Sequence, residues 1–430
     1  MNRDKYFNYQ GGELFCESTP ISEVVQNVGT PLYLYSYHNL INNYGKIKNA
    51  FAKLSPLICY ALKANGNLTI SRLLAREGAG CDIVSGGELY KALRAGFSPQ
   101  RIVFAGPGKT EKEIEYALKE DILILNVESA SELKLIEQIA QRMGCTARIS
   151  LRINPDVDAG THHYITTGKK ENKFGICFDE AQKLYLNIKN SSLLQPAGIH
   201  FHLGSQITSP EPYLRALEKI LHLLELLKDK GLNLEYINIG GGFGISYEKG
   251  KLPLNIEELI EELAEKIYSL IKNSKMKLIL EPGRFLVGPA GSLITKVLYK
   301  KNRGEKTFII VDAGMNDLIR PSLYGAYHQI KKLKEPYNKD SLEVIDVVGP
   351  ICESGDFFAK DRKLPPIKEG EYLAIMDAGA YGFSMSSSYN AQPRPSEVLV
   401  RDDRWWIIRE RETYSDLIRG EHIPDELFSS

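Results

Sequence analysis

LICYALKANGNLTISRLLAREGAGCDIVSGGELYKALRAGFSPQRIVFAG, residues 57–106, carries three short β-rich runs, LICYA (57–61), CDIV (81–84) and RIVFA (101–105), each separated from the next by a longer segment of helical period. Continuous apolar runs belong to strands buried on both faces, and strands alternating with helices build a parallel sheet. The rhythm continues outward through ILILNV (122–127), ARISLRI (147–153), AGIHFH (197–202), LEYINI (234–239) and KLIL (277–280). Helical patterns fill 87–95, 110–119, 129–143, 212–230 and 256–272, several opened by the Ser, Thr, Asp or Asn residues that cap helix N-termini. Eight βα units over roughly 230 residues predict an α/β fold, a (β/α)8 barrel of the TIM type, which we place at residues 36–288.

After Pro289 the texture changes to β-branched and aromatic runs at 292–299, 307–311, 343–348, 372–376, 397–400 and 405–408, with one short helical pattern near 322–327. This predicts a C-terminal, mostly antiparallel β-domain over 289–430, joined by residues 1–35 through the strand-like PLYLY (31–35). The polar stretch 158–174 lacks any periodicity, and such loops in compact enzymes are often lids.

The chain of 430 residues is 43% hydrophobic and 25% charged, which excludes a disordered protein and a single small binding module. Lys plus Arg (54) equals Asp plus Glu (54), so no global field exists to hold nucleic acid or an anionic membrane, and a small molecule is the expected partner. The cysteines at 16, 59, 81, 145, 177 and 352 form no close pairs, which argues against a zinc site or a disulfide scaffold and for reduced thiols in the cytoplasm. The N-terminus has no apolar core of a signal peptide, and no run approaches a membrane span. His162 and His163 read as solvated loop residues rather than a metal pair, and no metal is expected.

The active site of such a barrel lies at the C-terminal ends of its strands. There the sequence sets Lys63 after the first run, Asp82 at the second, His200, His202 and Ser205 at the sixth, Gly240-Gly241-Gly242 after the seventh, and Glu281-Pro282-Gly283-Arg284 after the eighth. Singly, each has a bland reading: a solvated lysine, a tight turn, a hydrogen-bonded core histidine. Their convergence on one rim changes the weighting. Adjacent glycines at strands seven and eight allow close approach to a phosphate, and Ser205 adds a hydroxyl. A phosphate site, a lysine and a carboxylate around one mouth suggest pyridoxal 5'-phosphate (PLP).

Together, YALKAN (60–65), CDIVSGGEL (81–89), HFHLGSQ (200–206), NIGGGFGI (238–245), EPGR (281–284), RPSLYGAYH (320–328), GPICESGD (349–356) and AGAYGFSMSSSYN (378–390) make a set that resembles the diaminopimelate decarboxylases, of the fold-type III PLP-dependent decarboxylases. The resemblance implies that Lys63 is the Schiff-base lysine and His202 the imidazole packed on the ring face. Ser205, Gly240, Gly241, Gly242 and Tyr381 match phosphate ligands, and Glu281 matches the partner of the ring nitrogen, with Asp82, Pro282, Gly283 and Arg284 also around the cofactor. A carboxylate at that nitrogen favours a protonated ring, the better electron sink, whereas alanine racemases on a similar barrel place an arginine there; Glu281 thus argues for decarboxylation over racemisation.

Cys352 matches a cysteine contributed across a dimer interface and implicated in protonating the product; its bland reading is a structural thiol. Arg284, Arg320, Tyr324, Glu353 and Tyr381 match substrate contacts. An arginine can take the distal carboxylate of diaminopimelate while Glu353 takes its ammonium. The implied activity is decarboxylation of meso-2,6-diaminopimelate to L-lysine and CO2, the last step of lysine biosynthesis, by a homodimer whose β-domain completes the site and the interface. Three other readings stay open: a decarboxylase of arginine, ornithine or carboxynorspermidine, a non-catalytic PLP-binding homologue, and a barrel with unrelated phosphate-dependent chemistry.

Overall fold

A computed structural model describes residues 5–158, 167–168, 172–248, 256–336 and 341–428. Most of the expected lid, with His162 and His163, lies outside these residues. The chain divides into two units, one made of His38–Ala290 with Gly379–Ser384, the other of residues 5–37, Gly291–Ala378 and residues 385–428.

The first unit is a closed parallel barrel of eight strands in sequential order. Its strands are β1 (Leu57–Ala61), β2 (Gly80–Ile83), β3 (Ile102–Phe104), β4 (Ile124–Val127), β5 (Ala147–Arg152), β6 (Leu194–His200), β7 (Tyr236–Asn238) and β8 (Lys277–Leu280). Every expected run became a strand, some shorter than the apolar run that announced them. The intervening helices start where short polar side chains satisfy free amides: Ser85 accepts from the Glu88 N–H, Ser129 from the Glu132 N–H, and Thr110 with Glu113 forms a reciprocal capping box. The helices Gly86–Ala95 and Ala130–Met143 both end at a left-handed glycine, Gly96 and Gly144.

Cys59, Val103, Ile124, Ala197 and Ile279 form one buried cluster. They come from β1, β3, β4, β6 and β8, mostly non-adjacent strands, so they meet across the barrel interior and fill it. Side chains on a strand repeat every second residue. The next inward positions beyond Ile124 and Ile279 are therefore Asn126 and Glu281, and beyond Tyr236, which packs against the same cluster, Asn238. The apolar plug thus carries a polar layer directly above it.

The second unit holds a three-stranded sheet within residues 7–20 and a nine-stranded sheet. Leu32–Ser36 lies inside the larger sheet, between Gly291–Arg303 and Ser396–Arg401. Most ladders are antiparallel, but Leu32–Ser36 runs parallel to Ser396–Arg401, and Lys306–Val311 runs parallel to Glu343–Val348. Phe7, Leu14, Ile21, Leu32, Leu34, Ile294, Val398 and Val400 are part of the core that joins the two sheets.

Candidate active site

The turn that follows β1 carries Lys63 in a single 3-10 turn, Leu62–Ala64. Its Nζ lies 2.7 Å from Oδ2 of Asp82, the inward residue of β2. The lysine side chain is 32% exposed and the aspartate fully buried, so the amine stands at the mouth and its counter-ion below it. Asp82 Oδ1 has no hydrogen-bond partner among the described residues. Burial, reinforced by the charge of Glu281 and opposed by Lys63, pushes the Asp82 carboxyl up to about 7. Burial would depress the Lys63 ammonium, but Asp82, Tyr381 and Glu281 outweigh it and raise its pKa.

Glu281 is 3% exposed. Its Oε1 accepts 2.6 Å from Asn238 Nδ2, and its Oε2 lies 3.5 Å from His200 Nε2. That second approach is long for a hydrogen bond, and neither His200 ring nitrogen has a hydrogen-bond partner among the described residues. Burial works to raise the Glu281 pKa, yet His200, Lys63 and His202 bring it well below the ordinary carboxylate value, so it is an anion.

Asn238 also fixes the glycine turn, because its Oδ1 accepts from the Gly240 N–H at 2.9 Å. Gly241 donates to His202 Nδ1 at 3.2 Å, which assigns the imidazole proton to Nε2. Burial first, then Lys63 and Arg152, hold the His202 pKa far below its usual value, so the ring is a neutral flat surface. The glycines are required by close approach. A Cβ on Gly241 would meet the Glu281 carbonyl oxygen at 1.8 Å, and one on Gly242, at φ +93°, would meet the Gly204 oxygen at 2.3 Å.

Arg284 anchors the other side of the rim. Its Nη2 donates to Ser205 Oγ at 2.9 Å, its Nη1 to the Tyr247 hydroxyl at 2.7 Å, and its guanidinium lies 4.9 Å from the Tyr381 ring centre. Gly283 packs beside Lys63's neighbours: a Cβ there would sit 3.0 Å from Ala64 Cβ. The Pro282 carbonyl accepts from the Ala61 N–H at 3.1 Å. Tyr381 reaches this unit because its N–H donates to the Ala64 carbonyl at 2.8 Å, while Asn65 Nδ2 holds the Gly379 carbonyl. Lys63, Asp82, His202, Ser205, Gly240, Gly241, Gly242, Glu281, Pro282, Gly283, Arg284 and Tyr381 therefore all lie in the barrel unit. Asn238 and Tyr247 join them without having been singled out from the sequence; Asn238 pairs in register with His200 on β6, which only the closed barrel reveals.

Arg320, Tyr324, Cys352 and Glu353 belong to the second unit. Arg320 opens the short helix Arg320–Tyr324, buried, with Nη1 2.8 Å from His328 Nε2; His328 Nδ1 in turn meets the Met376 carbonyl at 2.8 Å. Cys352 and Glu353 ride on an exposed turn. Buried Asp356 shapes that turn by accepting from the Ile351 and Met315 N–H groups, both at 2.7 Å. Ser322 Oγ ties the helix to the turn through the Gly355 carbonyl, and the Cys352 N–H donates to Asn390 Oδ1 at 2.8 Å.

Residues 38–288 match the family model of the pyridoxal binding domain of pyridoxal-dependent decarboxylases. A curated diaminopimelate decarboxylase of Aquifex aeolicus is 49% identical over 413 residues, covering 96% of both chains. The crystal structure of a diaminopimelate decarboxylase from Helicobacter pylori complexed with L-lysine is similar at 46% identity and a TM-score of 0.88, covering 93% of this chain and 99% of that one. That of the M. jannaschii enzyme, also with L-lysine, is similar at 39% identity and a TM-score of 0.93, covering 99% and 100%.

Proposed function

The chain belongs to the diaminopimelate decarboxylase family of pyridoxal-dependent decarboxylases, and from that premise we propose that it converts meso-2,6-diaminopimelate to L-lysine and CO2 with PLP as cofactor. The observation that carries the proposal is one barrel mouth holding a half-open amine at Lys63, its buried acid Asp82, the anionic Glu281 and the glycine turn. These residues fit the cofactor on the chain's own geometry. The glycine turn has room for no side chain, His202 offers a neutral ring face, and Asp82 Oδ1 is a buried acceptor without a partner among the described residues. Lys63 would hold the aldehyde, His202 the ring face, Ser205, Gly240–Gly242 and Tyr381 the phosphate, and Glu281 the ring nitrogen.

The chemistry supplied by bound PLP is electron withdrawal from the carbon that loses CO2. Lys63 must be neutral to act as a nucleophile, and Asp82 Oδ2, 2.7 Å from Nζ, is the group placed to accept its proton. The negative charge of Glu281 would keep a proton on the ring nitrogen, which would favour decarboxylation. Arg320 and Glu353 would read the distal carboxylate and ammonium of the substrate, with Arg284, Tyr324 and Tyr381 completing the contacts. Cys352 Sγ would return a proton to the product carbon.

We further propose a homodimer in which Cys352 and Glu353 serve the partner's barrel. The exposure of both side chains on a rigidly shaped turn supports this. A cytoplasmic location is supported by six free cysteines and by the lack, among the described residues, of any helix long and apolar enough to cross a membrane.

The test is CO2 release from meso-diaminopimelate against arginine, ornithine and carboxynorspermidine, with a visible spectrum before and after borohydride. Turnover of diaminopimelate alone and a band bleached by borohydride are expected. Turnover confined to another amino acid would overturn the substrate assignment, and a colourless protein that binds no added PLP would overturn the cofactor.

A further inference from the structure

Among the described residues of the barrel mouth, His200 is the imidazole that the reaction outlined above does not use. It is 1% exposed at the end of β6, in register with Asn238 on β7. Its ring nitrogens make no hydrogen bond among the described residues. A histidine retained for packing would be expected to find backbone or side-chain partners, as His328 does with the Met376 carbonyl and Arg320. Lower inward positions of this barrel, Ala197 and Ile279 among them, are apolar and carry no such penalty. What His200 does face is Glu281: Nε2 lies 3.5 Å from Oε2, while Asn238 Nδ2 holds Oε1 at 2.6 Å.

We propose that His200 is a positioning residue that, with Asn238, fixes the plane and the charge of the Glu281 carboxylate toward the ring nitrogen of the cofactor. The inference rests on the reading of this mouth as a PLP site. Each oxygen of Glu281 is engaged from a different strand, so the carboxylate cannot rotate without leaving one of them. The other ionisable groups around it include Lys63 after β1, the buried Cys59 thiol on β1, Asp82 on β2 and His202 beyond β6. Lys63 is already claimed by Asp82 at 2.7 Å, and it is His200 Nε2 that stands 3.5 Å from Oε2. His200 also heads the groups that lower the Glu281 pKa against burial.

The test separates the ring nitrogen from the rest of the cofactor. Full-length wild type, His200→Leu and His200→Gln are stripped with hydroxylamine and titrated with PLP and with its carbocyclic analogue, in which CH replaces the ring nitrogen; melting is recorded in parallel. Leucine removes the Nε2 contact, and the glutamine amide can replace it. His200→Leu is expected to weaken PLP binding about 3- to 10-fold, the range for losing one modest polar contact, and to leave the analogue's affinity unchanged. His200→Gln is expected to bind PLP close to wild type. Equal loss for both ligands, or none for either, would overturn the proposal and leave His200 a packing residue. If the leucine variant fails to fold, His200→Ala takes its place: weakened binding of PLP with unchanged binding of the analogue sustains the proposal, and equal weakening of both ligands, or of neither, sinks it. A wild type that binds neither ligand would instead refute the PLP reading itself.

Discussion

Gly241→Ala isolates the close contact on which the Glu281 placement depends. Gly241 does not have a left-handed φ, so alanine meets no conformational obstacle, and the effect is steric. The new Cβ would stand 1.8 Å from the Glu281 carbonyl oxygen and 2.6 Å from its carbon, where real Cβ atoms keep at least 3.0 Å. Both sides of the contact are backbone, so the glycine turn and the Glu281 segment must part by more than about 1 Å. A displacement of that size is expected to stretch the 2.6 Å bond from Asn238 and the 2.8 Å bond from the Glu281 N–H to the Gly240 carbonyl. Misplacing a catalytic constellation by about 1 Å costs roughly 100-fold in rate. Overpacking adds about 1–3 kcal/mol of destabilisation, or a fall in Tm on the order of 5 °C for a domain of this size. Gly45→Ala is the control. Gly45 lies within the helix Tyr37–Ala50 with nothing within 4 Å of its would-be Cβ, so alanine there should stabilise by roughly 0.5–1 kcal/mol. Steady-state CO2 release gives kcat/KM for both variants, and differential scanning calorimetry gives Tm. If Gly241→Ala keeps wild-type kcat/KM and Tm, the glycine contact does not set the position of Glu281 and the reasoning fails.

Lys63→Ala should lose turnover and the borohydride-sensitive visible band together; a variant that keeps the band would show that another amine holds the cofactor. Asp82→Asn tests the buried acid in stripped protein. Because the folded-state pKa is raised from 3.8 to about 7, the stabilisation from this group is full below pH 4 and is lost as pH rises through 7. Wild type should therefore lose more of its denaturant midpoint between pH 5 and pH 8 than Asp82→Asn does, and parallel midpoints would contradict the assignment. Mixing inactive Lys63→Ala with inactive Cys352→Ala should restore part of the activity as subunits exchange, if each barrel uses the partner's cysteine. No recovery after exchange, confirmed by native mass spectrometry, would argue against shared sites.

The barrel was legible because its strands are uninterrupted apolar runs that end at turn residues. Leu57–Ala61 and Lys277–Leu280 in the barrel, and Glu343–Val348 in the β-unit, have the bounds that the sequence predicts. The strand Phe357–Leu364 escaped notice because Lys360, Asp361, Arg362 and Lys363 crowd it with charge, which an edge strand tolerates and an interior strand does not. The hairpin within residues 7–20 escaped because its strands are only two to four residues long. Lys63, His202 and Glu281 could be read from their places at strand ends. Asn238 could not, since its role depends on which carboxylate oxygen arrives from β8, and that is decided only when the barrel closes. Tyr247 likewise owes its role to the fold of the stretch after the glycines, which brings its hydroxyl to Arg284.

The barrel unit borrows its last piece, Gly379–Ser384, from beyond most of the second unit's sequence. On a ribosome, where chains emerge at about 5–20 residues per second, the eight strands are available seconds before Tyr381 reaches the Ala64 carbonyl. A nascent chain halted at residue 290 would then carry the lysine, the glycines and the acid, but not Tyr381, whose ring lies 4.9 Å from the Arg284 guanidinium. Vitamin B6 loading should consequently trail translation, and a gene fragment ending there should yield a scaffold that captures the coenzyme poorly.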